Sequence, residues 1–318
     1  MLLRQVLEIG ELLDRPGVDG GDVARCFRKH GFDRVEVEAL RAGRGTTSLV
    51  RVLVPGVRGR SARGKAPTLG LIGFLGGVGA RPQVIGLVSD ADGAIAALAA
   101  GLKLADMFVA GDRTEGDVMV TTHVCPHAPV IPHEPVPFMG SPVGVRSLAE
   151  RLVDQRMDAI LSIDTTKGNR IINARGFAIS PTVKEGYILR VSEPLLTVQQ
   201  HVTGRLPLVF PVTTQDITPY GNDVFHLNSI MQPATVTDAP VVGVAVTTEA
   251  AVPGSASGAS HAVDIELAAR FAVEAAKAYT AGQAPFFDPA EFKRLEKLYG
   301  SLRHLQTPGK QGSGKRRG

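Results

Sequence analysis

Hydrophobic residues in this chain form short runs that alternate with amphipathic stretches. The runs have the length and the near-continuous apolar character of strands buried on both faces of a sheet. These runs are 68–75, 118–122, 159–163, 206–212 and 241–246. The stretches with apolar residues at helical spacing are 91–108, 145–153 and 261–281. This alternation predicts an α/β protein with three αβα layers and a mostly parallel or mixed central sheet.

Further elements are predicted on either side of this core. Helical spacing indicates helices at 2–13, 22–30 and 289–302, and a turn-like segment between 35–38 and 49–54 indicates a strand pair. We expect a single α/β domain over 1–305, with any small accessory lobe within 170–238. A flexible basic tail is expected at 306–318.

Composition and charge exclude several classes of protein. The net charge is +4, but Lys310 and the run 315–317 lie in the Gly-rich end, so the rest of the chain is close to neutral. We therefore expect no nucleic-acid partner. Charges interrupt the N-terminal segment and no apolar stretch is long enough to span a bilayer, so we expect a cytoplasmic protein without a membrane partner. No dinucleotide or P-loop fingerprint is present.

The cysteines and several histidines are interpreted as structural. Cys26 and Cys125 are the only cysteines, too few for a disulfide framework, which fits a reducing compartment. Nothing in the sequence fixes a general base beside Cys125, so a small semi-buried thiol is favoured over a nucleophile. His30 is expected on a helix surface.

Polar residues follow the apolar runs at the positions where open α/β sheets bind ligands, beyond the carboxyl ends of the strands. These residues are Asp90 and Asp92, His123, Asp164 and Lys167, and Glu249 and His261. Aspartate and histidine converging from separate strand ends supply the oxygen and nitrogen donors of a zinc or manganese site, and carboxylates can bridge two ions.

Simpler structural roles compete with this interpretation. Asp90, Asp92 and Asp164 can each serve as a helix cap. Lys167 can hold a substrate carboxylate or phosphate, or be a solvated turn lysine. For His123, direct metal ligation competes with a structural role, because Pro126 perturbs the extended segment that follows it.

Three longer strings are more specific. They are Ile163–Arg170, Ser180–Tyr187 and Thr214–Gly221, and together they resemble an uncharacterised prokaryotic family, the domain of unknown function 1177. The resemblance extends from about Leu2 to Thr307. The family has no established activity.

The order of strand ends also resembles the co-catalytic zinc exopeptidases. That resemblance implies that Asp90 is a carboxylate bridging two metals, Asp164 a later carboxylate ligand and His261 the last histidine ligand. The chain departs from the pattern at two places. Residues 74–76 replace the His-x-Asp ligand motif, and residues 123–127 replace the Glu-Glu pair that contains the general base.

The leading hypothesis is a metal-dependent hydrolase acting on a small peptide, amide or amino-acid derivative. The expected zinc or manganese ligands are Asp90, His123, Asp164 and His261, with Glu249 or Asp92 as base and Lys167 as substrate anchor. One alternative is a metal-free isomerase or lyase using His123, Lys167 and Asp164, and another is a catalytically degenerate metabolite-binding protein. A small-molecule substrate is expected as partner, and a homo-oligomer is implied by the resemblance alone.

Overall fold

The computed structural model describes residues 2–42, 45–74, 87–132, 138–167, 171–249 and 259–310. The predicted tail from 311 onwards lies outside the described residues. Within them, no helix combines the length and the apolar character that crossing a membrane requires.

Nine strands of the described residues form a mixed sheet in the middle layer. Its strands are β1 (Val35–Ala42), β2 (Gly45–Val54), β3 (Leu69–Gly73), β4 (Val118–Val124), β7 (Ala159–Thr165), β8 (Gly176–Ile179), β9 (Val183–Lys184), β10 (Tyr187–Ile188) and β11 (Val241–Thr247). The spatial order is β1-β2-β4-β3-β7-β11-β9-β10, with β8 also paired to β11. Two short strands, β5 (Val130–Ile131) and β6 (Phe138–Met139), pair separately.

Helices cover both faces of the sheet. They are α1 (Leu3–Leu13), α2 (Gly20–Lys29), α3 (Asp92–Val109), α4 (Val145–Leu152), α5 (Glu193–Thr203), α6 (Ala262–Thr280) and α7 (Pro289–Tyr299). The core on one face joins α1, α3 and α6 to alternate residues of the central strands, while α4 and a 3-10 helix at Ser229–Thr235 pack on the other face. The predicted three-layer αβα arrangement is confirmed.

The four central strands explain where polar groups gather. Strands β4, β3, β7 and β11 are mutually parallel. The chain passes from β3 outwards to β4 in one direction, and from β7 outwards to β11 in the other. The boundary between β3 and β7 is therefore a topological switch point, and a crevice forms beyond the carboxyl ends of these two strands.

One predicted strand is wrong. The apolar run 206–212 forms only a single parallel bridge, between Val209 and Ile179, and Leu206 is 81% exposed. Pro207 and Pro211 interrupt the run, and a residue without an N–H cannot continue a ladder of hydrogen bonds. The sheet is extended instead by the short strands β8 to β10, which are too brief to show a periodic pattern.

Candidate active site

Three aspartates lie at the switch point. Asp90 belongs to a 3-10 turn, Ser89–Ala91, that enters α3, and Asp92 is the first residue of α3. Asp164 is near the carboxyl end of β7. All three are buried.

The close approach of α3 to β7 brings these aspartates together. A Cβ on Gly93 would stand 2.3 Å from the carbonyl oxygen of Ile163 and 2.9 Å from Cα of Asp164. A Cβ on Gly73 would stand 2.8 Å from Cα of Ala94. Glycine at both positions lets the first turn of α3 rest directly on the ends of β3 and β7.

A methyl group at Gly93 is therefore expected to destabilise the fold. Gly93→Ala should lower the free energy of unfolding by about 1–3 kcal/mol, because the helix must move away from β7. Gly10→Ala is the matched control, since Gly10 lies inside α1 with nothing within 4 Å of its added Cβ. That change should stabilise by about 0.5–1 kcal/mol. Equal effects of the two changes in denaturant titrations would contradict the close approach.

Asp164 is held by hydrogen bonds from two directions. Its Oδ1 accepts from the backbone N–H of Thr165 at 2.7 Å, and its Oδ2 accepts from Oγ of Ser229 at 2.8 Å. The phenol of Tyr220 bonds to Ser229, and burial together with the Asp164 charge raises the pKa of Tyr220. A protonated tyrosine thus lies close to this carboxylate.

Burial makes the ionised forms of Asp90 and Asp164 unfavourable. Burial raises the pKa of Asp90 well above its usual range, and the charges of Asp164 and Asp92 raise it further. Burial also raises the pKa of Asp164 to about 7, against the lowering effect of its hydrogen bonds from Ser229 and Thr165. Among the described residues, neither Asp90 nor Asp164 forms an ion pair with a basic side chain.

Asp92 is in a different situation because it is paired. Nζ of Lys167 lies 2.5 Å from Oδ2 of Asp92, and both side chains are 0% exposed. Lys167 also donates to the carbonyl oxygen of Ala259, and Oγ of Ser260 donates to Oδ1 of Asp92 at 2.6 Å. Burial still raises the pKa of Asp92, although Lys167 and Ser260 act to lower it. Lys167 therefore neutralises Asp92, and its role as substrate anchor stays a prediction.

His261 lies at the edge of this cluster. It is the residue before α6, its side chain is 60% exposed, and its Nδ1 lies 3.3 Å from Oδ2 of Asp264. Its charge acts to lower the pKa of Asp92. The structure therefore places His261 on the solvent side of the aspartates.

His123 is buried on β4, two strands away from Asp164. His123 and Asp164 each lie one residue beyond a pairing with Gly73, so the two side chains share a level and a sheet face. Strand spacing puts them roughly 10 Å apart. Phe74 follows Gly73 on the strand between them. His123 is thus near the switch point but is not shown in contact with the aspartates.

One ring nitrogen of His123 is without a partner in the part of the chain that is described. Nδ1 lies 2.9 Å from Oγ1 of Thr47, and that hydroxyl donates its only proton to the carbonyl oxygen of Val124. Nδ1 then carries the proton, which leaves a lone pair on Nε2. Burial lowers the pKa of His123 to about 4, so the ring is neutral, the form that binds metals.

For the remaining sequence candidates, no contact with the three aspartates is seen among the described residues. Glu249 is exposed two residues after β11, and His127 is also exposed. Cys125 is buried, with Sγ 3.8 Å from the carbonyl oxygen of Thr46, and burial raises the pKa of its thiol to about 11. The role of Glu249 as base stays a prediction.

Sequence reasoning missed Ser229, Tyr220 and Ser260. The first two are positioned by the segment around Asp216, a buried carboxylate that accepts hydrogen bonds from Thr213, Leu227 and Asn228. Tyr220 lies in one of the strings that carry the family resemblance, and that string could have indicated it as a candidate site residue. Ser229 had none, because its chain neighbours resemble an ordinary apolar segment.

Comparisons with known proteins place this geometry in a wider context. The fold is similar to that of the bottromycin maturation enzyme BotP, with a TM-score of 0.52 at 15% identity over 88% of this chain and 70% of that one. The LapA aminopeptidase of Legionella pneumophila has a TM-score of 0.48 at 10% identity, over 90% of this chain and 71% of that one. At such identities the likeness to BotP concerns the fold alone. No curated protein matches the sequence.

A family model provides the relationship in sequence. Its description is "Protein of unknown function (DUF1177)", and it matches residues 38–309. The match begins in β1, so helices α1 and α2 precede it. Because it covers most of the chain, the protein belongs to the DUF1177 family.

Proposed function

We propose that this protein is a metal-dependent hydrolase acting on a small peptide, amide or amino-acid derivative. The observation that carries the proposal is the pair Asp90 and Asp164 at the switch point. Both are buried and each carboxyl has a raised pKa, while Lys167, a described basic side chain of the cluster, is paired with Asp92.

A divalent cation explains this arrangement. Buried carboxylates without a cation are costly, and that cost disappears when their oxygens ligate a metal. Their hard oxygen donors, combined with histidine nitrogen, suit zinc or manganese. Such an ion would supply an activated water and polarise an amide carbonyl.

The residues of the chain divide into distinct roles. Asp90 and Asp164 would hold the metal, with Ser229 orienting the carboxylate of Asp164. His261 on the solvent side and the buried His123 are the candidate nitrogen ligands. Asp92, fixed by Lys167 and Ser260, or the exposed Glu249 would accept the proton of the attacking water.

Metal content of the purified protein tests the proposal. We expect zinc or manganese by elemental analysis, with about one equivalent per chain less in Asp90→Ala and Asp164→Ala than in the wild type and a smaller loss in His261→Ala. His127→Ala is the matched histidine control and should retain the metal, because His127 is exposed and makes no contact with the aspartates among the described residues. Hydrolysis of a panel of aminoacyl amides should fall with metal content.

A protein that binds no transition metal under any loading condition, or a metal content that is unchanged in Asp90→Ala and Asp164→Ala, would overturn the proposal. One observation then favours a second function. The pKa of Asp164, about 7, suits a general acid or base at neutral pH without metal. Turnover of an amino or hydroxy acid that is unchanged by chelator and lost in Asp164→Asn would identify a metal-free isomerase or lyase.

A further inference from the structure

A second cluster of potential ligands lies far from the switch point. Glu8 comes from α1, Cys26 from α2, and His30 follows α2 directly. They pack beside Asp106, near the end of α3 opposite Asp92. At 1.5 Å per helical residue, that end is roughly 20 Å from Asp92. All three ligand candidates precede the region that matches the family.

The donor atoms converge on one point. Within the described residues, a carboxylate oxygen of Glu8, Sγ of Cys26 and a ring nitrogen of His30 all lie within 4.8 Å of one another. Nε2 of His30 is 2.9 Å, and Sγ of Cys26 is 3.8 Å, from Oε1 of Glu8. Cysteine sulfur, histidine nitrogen and carboxylate oxygen are all zinc ligands, and three protein ligands leave the fourth tetrahedral position open to water.

The second ring nitrogen of His30 faces a carboxylate, as is usual for metal-binding histidines. Nδ1 of His30 lies 2.6 Å from Oδ1 of Asp106, and Nε2 of Gln5 donates to Oδ2 of Asp106 at 2.8 Å. An ionised carboxylate accepts only, so Nδ1 carries a proton and Nε2 is the atom turned towards Glu8 and Cys26. A carboxylate that fixes the tautomer in this way raises the affinity of the histidine for metal.

This tautomer requires a positive charge between His30 and Glu8. A bare Nε2 lone pair facing a carboxylate oxygen at 2.9 Å is repulsive, so either a proton or a cation lies between the two atoms. The thiol of Cys26 is directed at the same oxygen, so a cation in this position would have a sulfur, a nitrogen and an oxygen donor around it. His30 is also only 12% exposed, unlike the free helix-surface residue predicted from sequence.

We propose that Glu8, Cys26 and His30 bind a thiophilic divalent cation of the zinc type. Asp106 positions the imidazole of His30 for this ion. The ion links α1, α2 and the end of α3. On binding, the Cys26 thiol and Nε2 of His30 each give a proton to solvent, and the sulfur and Nε2 become ligands. The switch-point cluster contains no thiol, so a signal from a metal-bound thiolate reports on this site alone. The proposal can therefore be tested separately from the proposed hydrolase.

Cobalt titration of the chelator-treated full-length protein tests the proposal. We expect a thiolate-to-cobalt charge-transfer absorption in the near ultraviolet that saturates with one ion and disappears when zinc is added. Cys26→Ser should abolish the band. Cys125→Ser is the matched control, since Cys125 is the other buried thiol, and it should leave the band unchanged. Asp164→Ala should also leave it unchanged.

A conservative variant outside the ligand set shows whether loss of the band reflects loss of the site or loss of folding. Asp106→Asn should lower the cobalt affinity about 10- to 100-fold while the band keeps its shape, as expected of a positioning residue. A wild-type protein without the band, or a band that survives in Cys26→Ser, overturns the proposal. In the first case a His30 imidazolium bridging Glu8 and Asp106 accounts for the cluster.

Discussion

Replacing Lys167 by methionine is expected to lower the free energy of unfolding by about 3–5 kcal/mol. The ammonium lies 2.5 Å from Asp92 and both side chains are fully buried, so methionine fills the space but leaves an unpaired carboxylate in the interior. Ser260 gives that carboxylate one hydrogen bond, which is too little to replace a full charge. Denaturant titration near neutral pH measures the loss.

The double variant Asp92→Asn with Lys167→Met separates the ion pair from its packing. Removing both charges takes away the desolvation cost together with the attraction, so the double variant should regain most of the stability lost by Lys167→Met. A Lys167→Met protein as stable as the wild type would mean that the pair is solvated. A double variant less stable than either single variant would mean that the methionine packs badly.

The position of the switch-point aspartates could be predicted from the sequence. Which of them pairs with Lys167 could not. Strands buried on both faces must be continuously apolar, which is why β3, β4, β7 and β11 are visible as runs. The rule for strand ends then places Asp90 near Asp164 without coordinates. The partner of Lys167, however, is 75 residues away, and only the path of α3 determines which of the three aspartates it meets.

The other two errors have different causes. The run 206–212 has the hydrophobicity of a strand, but Pro207 and Pro211 override it. His30 has the spacing of a helix-surface residue, yet α1 and α3 bring Glu8 and Asp106 onto both of its nitrogens. The two prolines are readable from the sequence, whereas the contacts of His30 lie between elements, and periodicity within one element carries no information about them.

Replacing Asp164 by asparagine is expected to change how stability depends on pH. The pKa of Asp164 in the folded protein, about 7, lies above its ordinary value of 3.8. Between these pH values the folded protein retains a proton that the unfolded chain has released. The stabilisation from that proton is therefore fully present below about pH 4 and is lost as the pH rises through 7, opposite to the usual behaviour of a paired aspartate.

Asparagine removes this dependence because it stays neutral. In chelator-treated protein, the stability of Asp164→Asn relative to wild type should rise by about 2–3 kcal/mol between about pH 5 and pH 8. Taking the difference between the two proteins cancels groups that do not interact with Asp164, including His123, whose lowered pKa acts in the opposite sense. Denaturant titrations at several pH values across this range measure it.

Asp154 provides the control with a shift of the other sign. Its hydrogen bonds from Arg156 lower its pKa to about 2, so its stabilising effect is present above about pH 4 and does not vary between pH 5 and pH 8. Asp154→Asn should therefore reduce stability equally across that range. If Asp164→Asn behaved in the same way, the carboxylate of Asp164 would be ionised throughout, and the unfavourable effect of burial on the switch-point aspartates would be absent. A rising difference in the metal-free protein that vanishes when zinc or manganese is added would show that the cation removes that effect.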